Sequence, residues 1–282
     1  MSKKSTAIPP TLWRPFIGGF AWKTVLLFLI SFSLLLISIY TASVEIIPYW
    51  TAIGLNTVAI YLLFTPAHEA VHGNVRGSHH HLKWLETLTG GISSLSFSAP
   101  YPVFKHIHLT HHNHTNDPIE DPDYFVKGEN IFMVILKCSF IVFGYHFHYW
   151  KNTKVFLQTA KGRKDFLITN LLFGLMWLMV ISWGMQAGWQ APVLLWILPT
   201  WIATTFLAFV FDWLPHHPHA VQKRYLDTRI ILFPGLTTFL LSQNMHLIHH
   251  LYPSVPFYNY GKVFENVRED LEEKGSRIDE LG

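Results

Sequence analysis

The sequence has little charge and almost no cysteine, and each shortage excludes a class of protein. Charged residues make up 14% of the 282 residues, whereas a soluble globular domain carries about 25%. The single cysteine, Cys138, excludes an intramolecular disulfide, an iron–sulfur cluster held by four thiolates of one chain and a Cys-x-x-Cys-His haem site. Any metal-based redox chemistry in this chain therefore needs other ligands.

Two sequence signals are also missing. No glycine-rich dinucleotide signature follows a predicted strand, and no small-residue cleavage site follows the first apolar segment. That segment, residues 21–40, is longer than the core of a signal peptide, so we interpret it as a membrane anchor. The net charge of +3 is modest, and we expect no nucleic-acid partner.

Hydrophobic residues are abundant, at 50% of the chain. Four segments of about 20 residues are long enough to cross the ~30 Å hydrocarbon core of a bilayer. Short links, residues 42–45 and 186–190, join them into two hairpins around a long middle segment, residues 66–165. We predict an all-α polytopic membrane protein that forms one domain over residues 1–282. The predicted spans are residues 22–41, 46–65, 166–185 and 192–213.

The positive charges predict the orientation of these spans. None of the 21 Lys and Arg residues lies in either short link. Because cytoplasmic segments carry an excess of Lys and Arg, both termini and the middle segment are predicted to be cytoplasmic. This includes an N-terminal arm, residues 1–20 with Lys3 and Lys4, and a charged tail, residues 266–282. Three further apolar stretches are predicted to lie at the interface or dip into it: residues 82–104, 131–150 and 230–241.

Histidine is the residue that could hold a metal, and nine of the 18 histidines fall into a repeated pattern. Three clusters use i, i+3 or i, i+4 spacing, which places the rings on one face of a helix. A ninth histidine ends the motif Asp212-x-x-x-His216. Imidazole suits iron, zinc, copper and nickel, and these clusters offer more ligands than one ion can use. We predict a pair of metal ions held by His68, His72, His108, His111, His112, His216, His246, His249 and His250.

Acidic residues near these clusters are candidates to orient the imidazoles. A histidine that binds a metal usually donates its other N–H to a carboxylate or carbonyl. Asp117, Asp121 and Asp123 follow the second cluster, although a solvated acidic turn between two prolines would look the same. Asp212, one turn before His216, is a further candidate to orient an imidazole or to hold a metal-bound water.

The first cluster has a competing interpretation. His68-Glu69-Ala-Val-His72 satisfies the H-E-x-x-H pattern of zinc proteases, with Glu69 as general base. A zinc protease uses three protein ligands and keeps one position open, so this hypothesis leaves both His-x-x-His-His clusters unexplained. The other histidines are predicted to lie in turns, in loops or at the interface, among them His79–His81, His146 and His219.

The three clusters together resemble those of the membrane fatty-acid desaturase and hydroxylase superfamily. Within it, the chain is similar to bacterial β-carotene hydroxylases over about residues 60–275. Glu69 departs from the aspartate expected at that position of this group. The similarity is carried by Tyr101-Pro-Val-Phe104, Asn116-Asp-Pro-x-x-Asp-Pro-Asp123, Phe211-Asp-x-Leu-Pro-His216 and the stretch from Gln243-Asn-x-His246 to Pro256.

The resemblance implies a non-haem di-iron centre that activates O2, with the nine histidines named above as ligands. It also implies an external electron donor such as ferredoxin, in keeping with the missing dinucleotide signature. The expected substrate is a long apolar lipid, first the β-ionone ring of β-carotene at C3 and alternatively the acyl chain of a lipid. The expected location is the bacterial inner membrane, with the active site facing the cytoplasm.

Overall fold

A computed structural model of the protein describes residues 7–281, apart from the side chain of Val155. Lys3, Lys4 and Gly282 of the predicted arm and tail lie outside the described residues. In chain order the helices are α1 (Trp22–Ser43), α2 (Tyr49–Val71), α3 (Lys83–Ser96), α4 (Tyr101–His114), α5 (Ile131–Ser139), α6 (Ile141–Lys151), α7 (Thr153–Phe156), α8 (Ala160–Ala187), α9 (Gln190–Trp213), α10 (Leu236–Phe239), α11 (His246–Leu251) and α12 (Tyr260–Glu273). Two short strands are β1 (Arg229–Leu232) and β2 (Arg277–Glu280), and short 3-10 turns include Pro10–Leu12, Arg14–Phe16, His80–Leu82, Pro122–Val126, Gln243–Met245 and Phe257–Asn259.

Four helices are long and apolar enough to cross a membrane: α1, α2, α8 and α9, with 22, 23, 28 and 24 residues. Many of their apolar side chains are exposed on the protein surface, as expected where lipid is the solvent. The turn between α8 and α9 uses Gly188 at φ +84°, a backbone conformation that favours glycine. The predicted all-helical membrane architecture, with four spans in two hairpins, is confirmed.

The second span continues further than the sequence predicts. We expected it to end at Thr65, before Pro66, but α2 runs through Pro66 to Val71. Proline removes one backbone hydrogen bond, and a membrane helix tolerates this where neighbouring helices pack around it. Every residue from Thr65 to Val71 is buried, so the packing is in place. His68 therefore lies on the last turns of a spanning helix rather than beyond its end.

The last span is not a regular α-helix. Two stretches, Val193–Ile197 and Ala208–Trp213, have the wider π-helical geometry, which often marks functional sites. The second stretch contains Asp212, whose side chain accepts a hydrogen bond from Tyr145.

The three apolar stretches outside the spans fold in different ways. Residues 82–104 form α3 and α4, which are separated at Pro100. Residues 131–150 form α5 and α6, which meet at an angle of 66°. The prediction that residues 230–241 dip into the membrane is wrong in its first part, because Arg229–Leu232 pairs in parallel with Arg277–Glu280. This distant pairing turns an apolar run into a strand.

The C-terminal segment, which we predicted to be a charged tail, packs against the rest of the protein. The helix α12 buries Val263, Val267 and Leu271 in a cluster with α11. The N-terminal segment completes this cluster, where the ring of Trp13 stacks on that of Tyr252 at 4.9 Å. This packing holds α11, which carries the third histidine cluster, against the ends of α2 and α4.

Candidate metal centre

Five histidines form the first histidine group: His68 and His72 at the end of α2, His108 and His112 on α4, and His249 on α11. One nitrogen of each ring lies within 4.8 Å of the corresponding nitrogens of the others. The Nε2 of His249 is 3.0 Å from that of His68 and 2.8 Å from that of His112, while the Nε2 atoms of His72 and His108 are 2.8 Å apart. These distances bring five lone-pair donors to one point inside the protein.

Four further histidines form the second histidine group: His111, His216, His246 and His250. The Nε2 of His250 is 3.2 Å from that of His111 and 3.1 Å from that of His246. The Nε2 of His216 is buried without a hydrogen-bond partner among the described residues. The two groups adjoin, because the rings of His112 and His250 stack at 4.4 Å.

Each His-x-x-His-His cluster divides between the two groups. In α4, His108 and His112 belong to the first group and His111 to the second, whereas in α11 His246 and His250 belong to the second and His249 to the first. At 3.6 residues per turn, position i+4 lies about 40° from position i, and position i+3 lies about 60° away on the other side. A helix edge of this kind can therefore face two ions at once.

The donor sets fit metal ions. Two ligand nitrogens at right angles on an ion with bonds of ~2.1 Å are separated by ~3.0 Å. The Nε2 separations in both groups, from 2.8 to 3.2 Å, agree with this value. Facing imidazole nitrogens cannot all donate protons to one another, so a shared cation satisfies them better than hydrogen bonds do.

Burial keeps most of these imidazoles neutral. It lowers the pKa of His72, His108 and His112 well below 6.5, and the neighbouring histidines lower it further. The same cause lowers the pKa of the remaining members outside the spans: His216, His246, His249 and His250. A neutral imidazole has the free lone pair that a metal ion needs.

His111 is the exception. Burial alone would lower its pKa, but the carboxylates of Asp123 and Asp121 outweigh burial and raise it to about 10. Its Nδ1 donates to Asp121 Oδ1 at 2.9 Å and lies 3.2 Å from Asp123 Oδ2, an ion-pair contact. A carboxylate behind an imidazole orients the ring and makes it a stronger ligand. The structure thus brings Asp121 and Asp123 to the predicted position behind a histidine.

In three other histidines, the Nδ1 atom faces an uncharged hydrogen-bond partner. The Nδ1 of His249 is 2.9 Å from the Tyr260 hydroxyl. The Nδ1 of His216 donates to the carbonyl oxygen of Asp227 at 3.3 Å, and that of His250 is 3.4 Å from the Thr115 hydroxyl. Sequence reasoning missed these partners, because it looked for carboxylates, and a hydroxyl or a backbone carbonyl gives no comparable signal.

Two predicted acidic partners lie elsewhere. Asp117 is at the surface, where its carboxylate accepts from the backbone N–H groups of Ile119 and Glu120 at 2.9 and 3.0 Å. Asp117 therefore shapes a solvated acidic turn, which was the alternative interpretation of this segment. Asp212 accepts a hydrogen bond from the Tyr145 hydroxyl at 2.9 Å and has no contact with His216.

The predicted protease base, Glu69, also faces away from the histidines. Its Oε1 accepts from the Asn74 side chain and its Oε2 from the backbone N–H of Phe257, both at 3.3 Å. Glu69 therefore ties the C-terminal segment to α2. The H-E-x-x-H hypothesis needs this carboxylate beside a metal-bound water, and the geometry does not support it.

An apolar cavity adjoins the first histidine group. Its walls contain the aromatic rings of Phe64, Phe97 and Phe104 together with His108, which is also a member of that group. The cavity also meets a polar edge where Tyr145, Asp123 and Asp212 line it. His146, which we expected at the interface or in a loop, is buried on α6 in this wall.

The fold and the site define a polytopic helical membrane protein with two adjoining histidine groups suited to metal ions. Residues 42–282 match the family model described as fatty acid desaturase, and the chain belongs to this family. The predicted superfamily, whose members are membrane-bound oxidoreductases of the non-haem di-iron type, is confirmed.

Several plant desaturases are similar to the chain. One is the "Omega-3 fatty acid desaturase, chloroplastic" of Brassica napus, 24% identical over 255 residues, which are 79% of this chain and 61% of the relative. Another is the "sn-2 acyl-lipid omega-3 desaturase (ferredoxin), chloroplastic" of Arabidopsis thaliana, 25% identical, with 79% and 55% covered. The "Omega-6 fatty acid desaturase, chloroplastic" of Brassica napus is 25% identical over 274 residues, with 89% and 60% covered. The alignments thus span between 55% and 61% of the length of these relatives.

Proposed function

We propose that the protein oxidises an unactivated C–H bond in the acyl chain of a membrane lipid, as a desaturase. One observation carries this proposal: His108 belongs to the first histidine group and also forms part of the wall of the aromatic cavity. A long apolar chain in this cavity would lie directly beside a metal ion. The names of the similar plant desaturases favour an acyl substrate.

We propose iron as the metal, with the nine histidines as its ligands. Imidazole suits iron as well as zinc, but zinc has no redox chemistry. Two bound irons would supply the activation of O2 that removes hydrogen from an unactivated carbon. Desaturation takes two hydrogens from the substrate, and these, with two electrons and two protons, reduce one O2 to two waters. We assign the electrons to an external donor of the ferredoxin class.

The protein's own residues would position the substrate and the ligands. The apolar cavity excludes water and aligns the chain beside His108, which favours one reaction geometry over others. Asp121 and Asp123 hold the ring of His111 in the second group. Because the Lys and Arg residues avoid both short links, we place the site on the cytoplasmic side of a bacterial inner membrane, within one domain.

Ring hydroxylation is the second candidate. The segments 101–104, 116–123, 211–216 and 243–256 resemble those of bacterial β-carotene hydroxylases, for which the product is oxidised at C3 of the β-ionone ring. Both reactions begin with removal of one hydrogen. They differ in the next step, which is either loss of a second hydrogen or transfer of oxygen to the carbon.

Expression in a bacterial host that makes β-carotene tests both candidates at once. For acyl desaturation we expect new double bonds in the membrane fatty acids and unchanged carotene. Hydroxylated rings with unchanged fatty acids would favour the second candidate. Unchanged lipids and carotenoids, in cells that hold the iron-loaded protein and a suitable donor, would contradict both.

A further inference from the structure

A single hydroxyl joins the cavity wall to the second histidine group. The Oη of Tyr145, on α6, is 2.7 Å from Asp123 Oδ1 and 2.9 Å from Asp212 Oδ2. The other carboxylate oxygen of Asp123 forms an ion pair with His111, 3.2 Å from its Nδ1. All three linked groups, Tyr145, Asp123 and Asp212, line the apolar cavity. A continuous path of polar contacts therefore leads from the cavity to His111.

The two carboxylates behind His111 are supported in different ways. Asp121 is held by the backbone, because it accepts from the N–H of Asn116 at 2.7 Å and from that of Asp123 at 2.9 Å. Among the described residues, the side chain of Asp123 accepts a hydrogen bond from the Tyr145 hydroxyl and otherwise has the ion pair with His111. Without that hydroxyl, Asp123 would depend for its orientation on the same ring that it is meant to orient.

We infer that Tyr145 is a positioning residue that holds His111, through Asp123, in the orientation that the second metal ion requires. The inference rests on the proposed metal pair. Among the described residues, Tyr145 makes no hydrogen bond with a proposed ligand, so its effect on His111 is indirect. Its hydroxyl lies between the two carboxyl groups and forms a polar edge in an otherwise apolar cavity.

Tyr149 offers a matched control for a test. It lies one turn further along α6, is buried, and its hydroxyl is 3.5 Å from Thr169 with no contact to a carboxylate. Tyr145→Phe and Tyr149→Phe each remove one hydroxyl and keep the ring. Any difference between the two variants therefore reports the contacts of Tyr145 rather than the loss of a buried hydroxyl in general.

The test compares release of iron from the full-length, iron-loaded protein in detergent, without substrate, using a water-soluble chelator. We expect Tyr145→Phe to release one of its two irons about tenfold faster than the unmodified protein, the lower end of the effect of losing a partner behind a ligand. The other iron should leave at the original rate. Mössbauer spectra should show a change at one iron only. Tyr149→Phe should match the unmodified protein in both measurements.

Asp212 provides the second comparison, because Tyr145→Phe also leaves this carboxylate without its donor. The double variant Tyr145→Phe/Asp212→Asn also replaces this carboxylate. If Tyr145→Phe fails to fold, iron release is measured on the double variant instead. We expect the double variant to release one iron as fast as Tyr145→Phe, and Asp212→Asn alone to release both slowly. Slow release from the double variant would overturn the inference, since Asp212 would then be the cause.

Equal iron release and equal spectra for Tyr145→Phe and Tyr149→Phe would also overturn it. Because no substrate is present, failure to find a desaturated or hydroxylated product would contradict the proposed function without affecting this result. An unmodified protein that binds no iron would contradict the metal pair itself, and the inference with it.

Discussion

The two histidine groups differ in what stands behind their rings. In the second group, two buried carboxylates form ion pairs with the Nδ1 of His111, at 2.9 and 3.2 Å. In the first group, the corresponding partner is neutral, the Tyr260 hydroxyl behind His249. The first group, however, is the one that reaches the apolar cavity, through His108. On the proposed function, this difference would separate two tasks: one ion would be held with the help of charge, and the other would adjoin the substrate.

Loss of His249, which contacts histidines on two other helices, should reduce turnover more than any other change. His249 lies within 3.0 Å of His68 and 2.8 Å of His112, so it connects α11 to both α2 and α4. We expect His249→Ala to reduce turnover below detection while the chain still inserts into the membrane. Product analysis and membrane fractionation measure the two effects. His81→Ala, at an exposed position, is the control, and retained turnover in His249→Ala would remove this ring from the centre.

Loss of a charge behind His111 should weaken one ion only. We expect Asp121→Asn to lower the affinity for the second ion about 10- to 100-fold, the usual cost of losing such a partner. The first ion should be retained. Titration with a competing chelator measures both affinities, and Asp117→Asn is the matched control, because the Asp117 carboxylate accepts hydrogen bonds from a surface turn and from Gln222 and none from a proposed ligand. Equal weakening of both ions would show that the two groups are not separately supported.

Acid should destabilise the metal-free protein through the neutral imidazoles. In the folded chain burial lowers the pKa of His72, His108 and His112 well below 6.5, the value to which they return on unfolding. The unfolded chain therefore binds more protons as the pH falls below about 6.5. The contribution of these neutral imidazoles to the free energy of unfolding is fully present above that pH and is lost progressively below it. Thermal unfolding of the metal-free protein as a function of pH measures this loss.

His111 should act in the opposite direction. Its folded pKa of about 10 lies above its unfolded value of 6.5, so its contribution is fully present below pH 6.5 and is lost as the pH rises towards 10. The two effects together predict a maximum of stability near neutral pH. In Asp121→Asn the loss on the alkaline side should become smaller. A stability that rises steadily into acid would contradict the neutral state of the other imidazoles.

The smallest effect should follow from removing the neutral partner in the first group. Tyr260→Phe deletes the hydroxyl that lies 2.9 Å from His249 Nδ1. A neutral hydrogen bond contributes about 1 kcal/mol, so we expect the first ion to leave a few times faster, a smaller change than Asp121→Asn causes for the second ion. Chelator competition measures the rate. Tyr258→Phe, in the adjoining turn, is the control and should leave this rate unchanged. A larger effect of Tyr260→Phe than of Asp121→Asn would contradict the proposed difference between the two groups.

Sequence patterns predicted those features that depend on local geometry. Helical spacing brought His108, His111 and His112 to one edge of α4. Hydropathy placed the four spans to within three residues, except that α2 ends and α8 begins six residues beyond the predicted limit. Positions i+3 and i+4 point in different directions, which allows each cluster to divide between two groups. The division itself also needs α4 and α11 to face each other, and the sequence did not predict that. The membrane orientation and the identity of the metal remain predictions.

Contacts between distant segments were beyond the sequence. Tyr145 meets Asp123 and Asp212 because α6 bends away from α5 and α9 has a π-helical stretch, and neither distortion has a clear local signal. The pairing of Arg229–Leu232 with Arg277–Glu280 joins short segments far apart in the chain. Glu69 matched a protease motif by spacing alone, whereas its hydrogen bonds to Asn74 and Phe257 assign it to packing.

The metal content of the full-length protein, purified from membranes in mild detergent, tests the central claim most directly. We predict about two irons per chain in inequivalent environments, as measured by elemental analysis and Mössbauer spectroscopy, and loss of the iron of the first histidine group in His249→Ala. One zinc per chain, or no metal in a folded protein supplied with iron, would contradict the account.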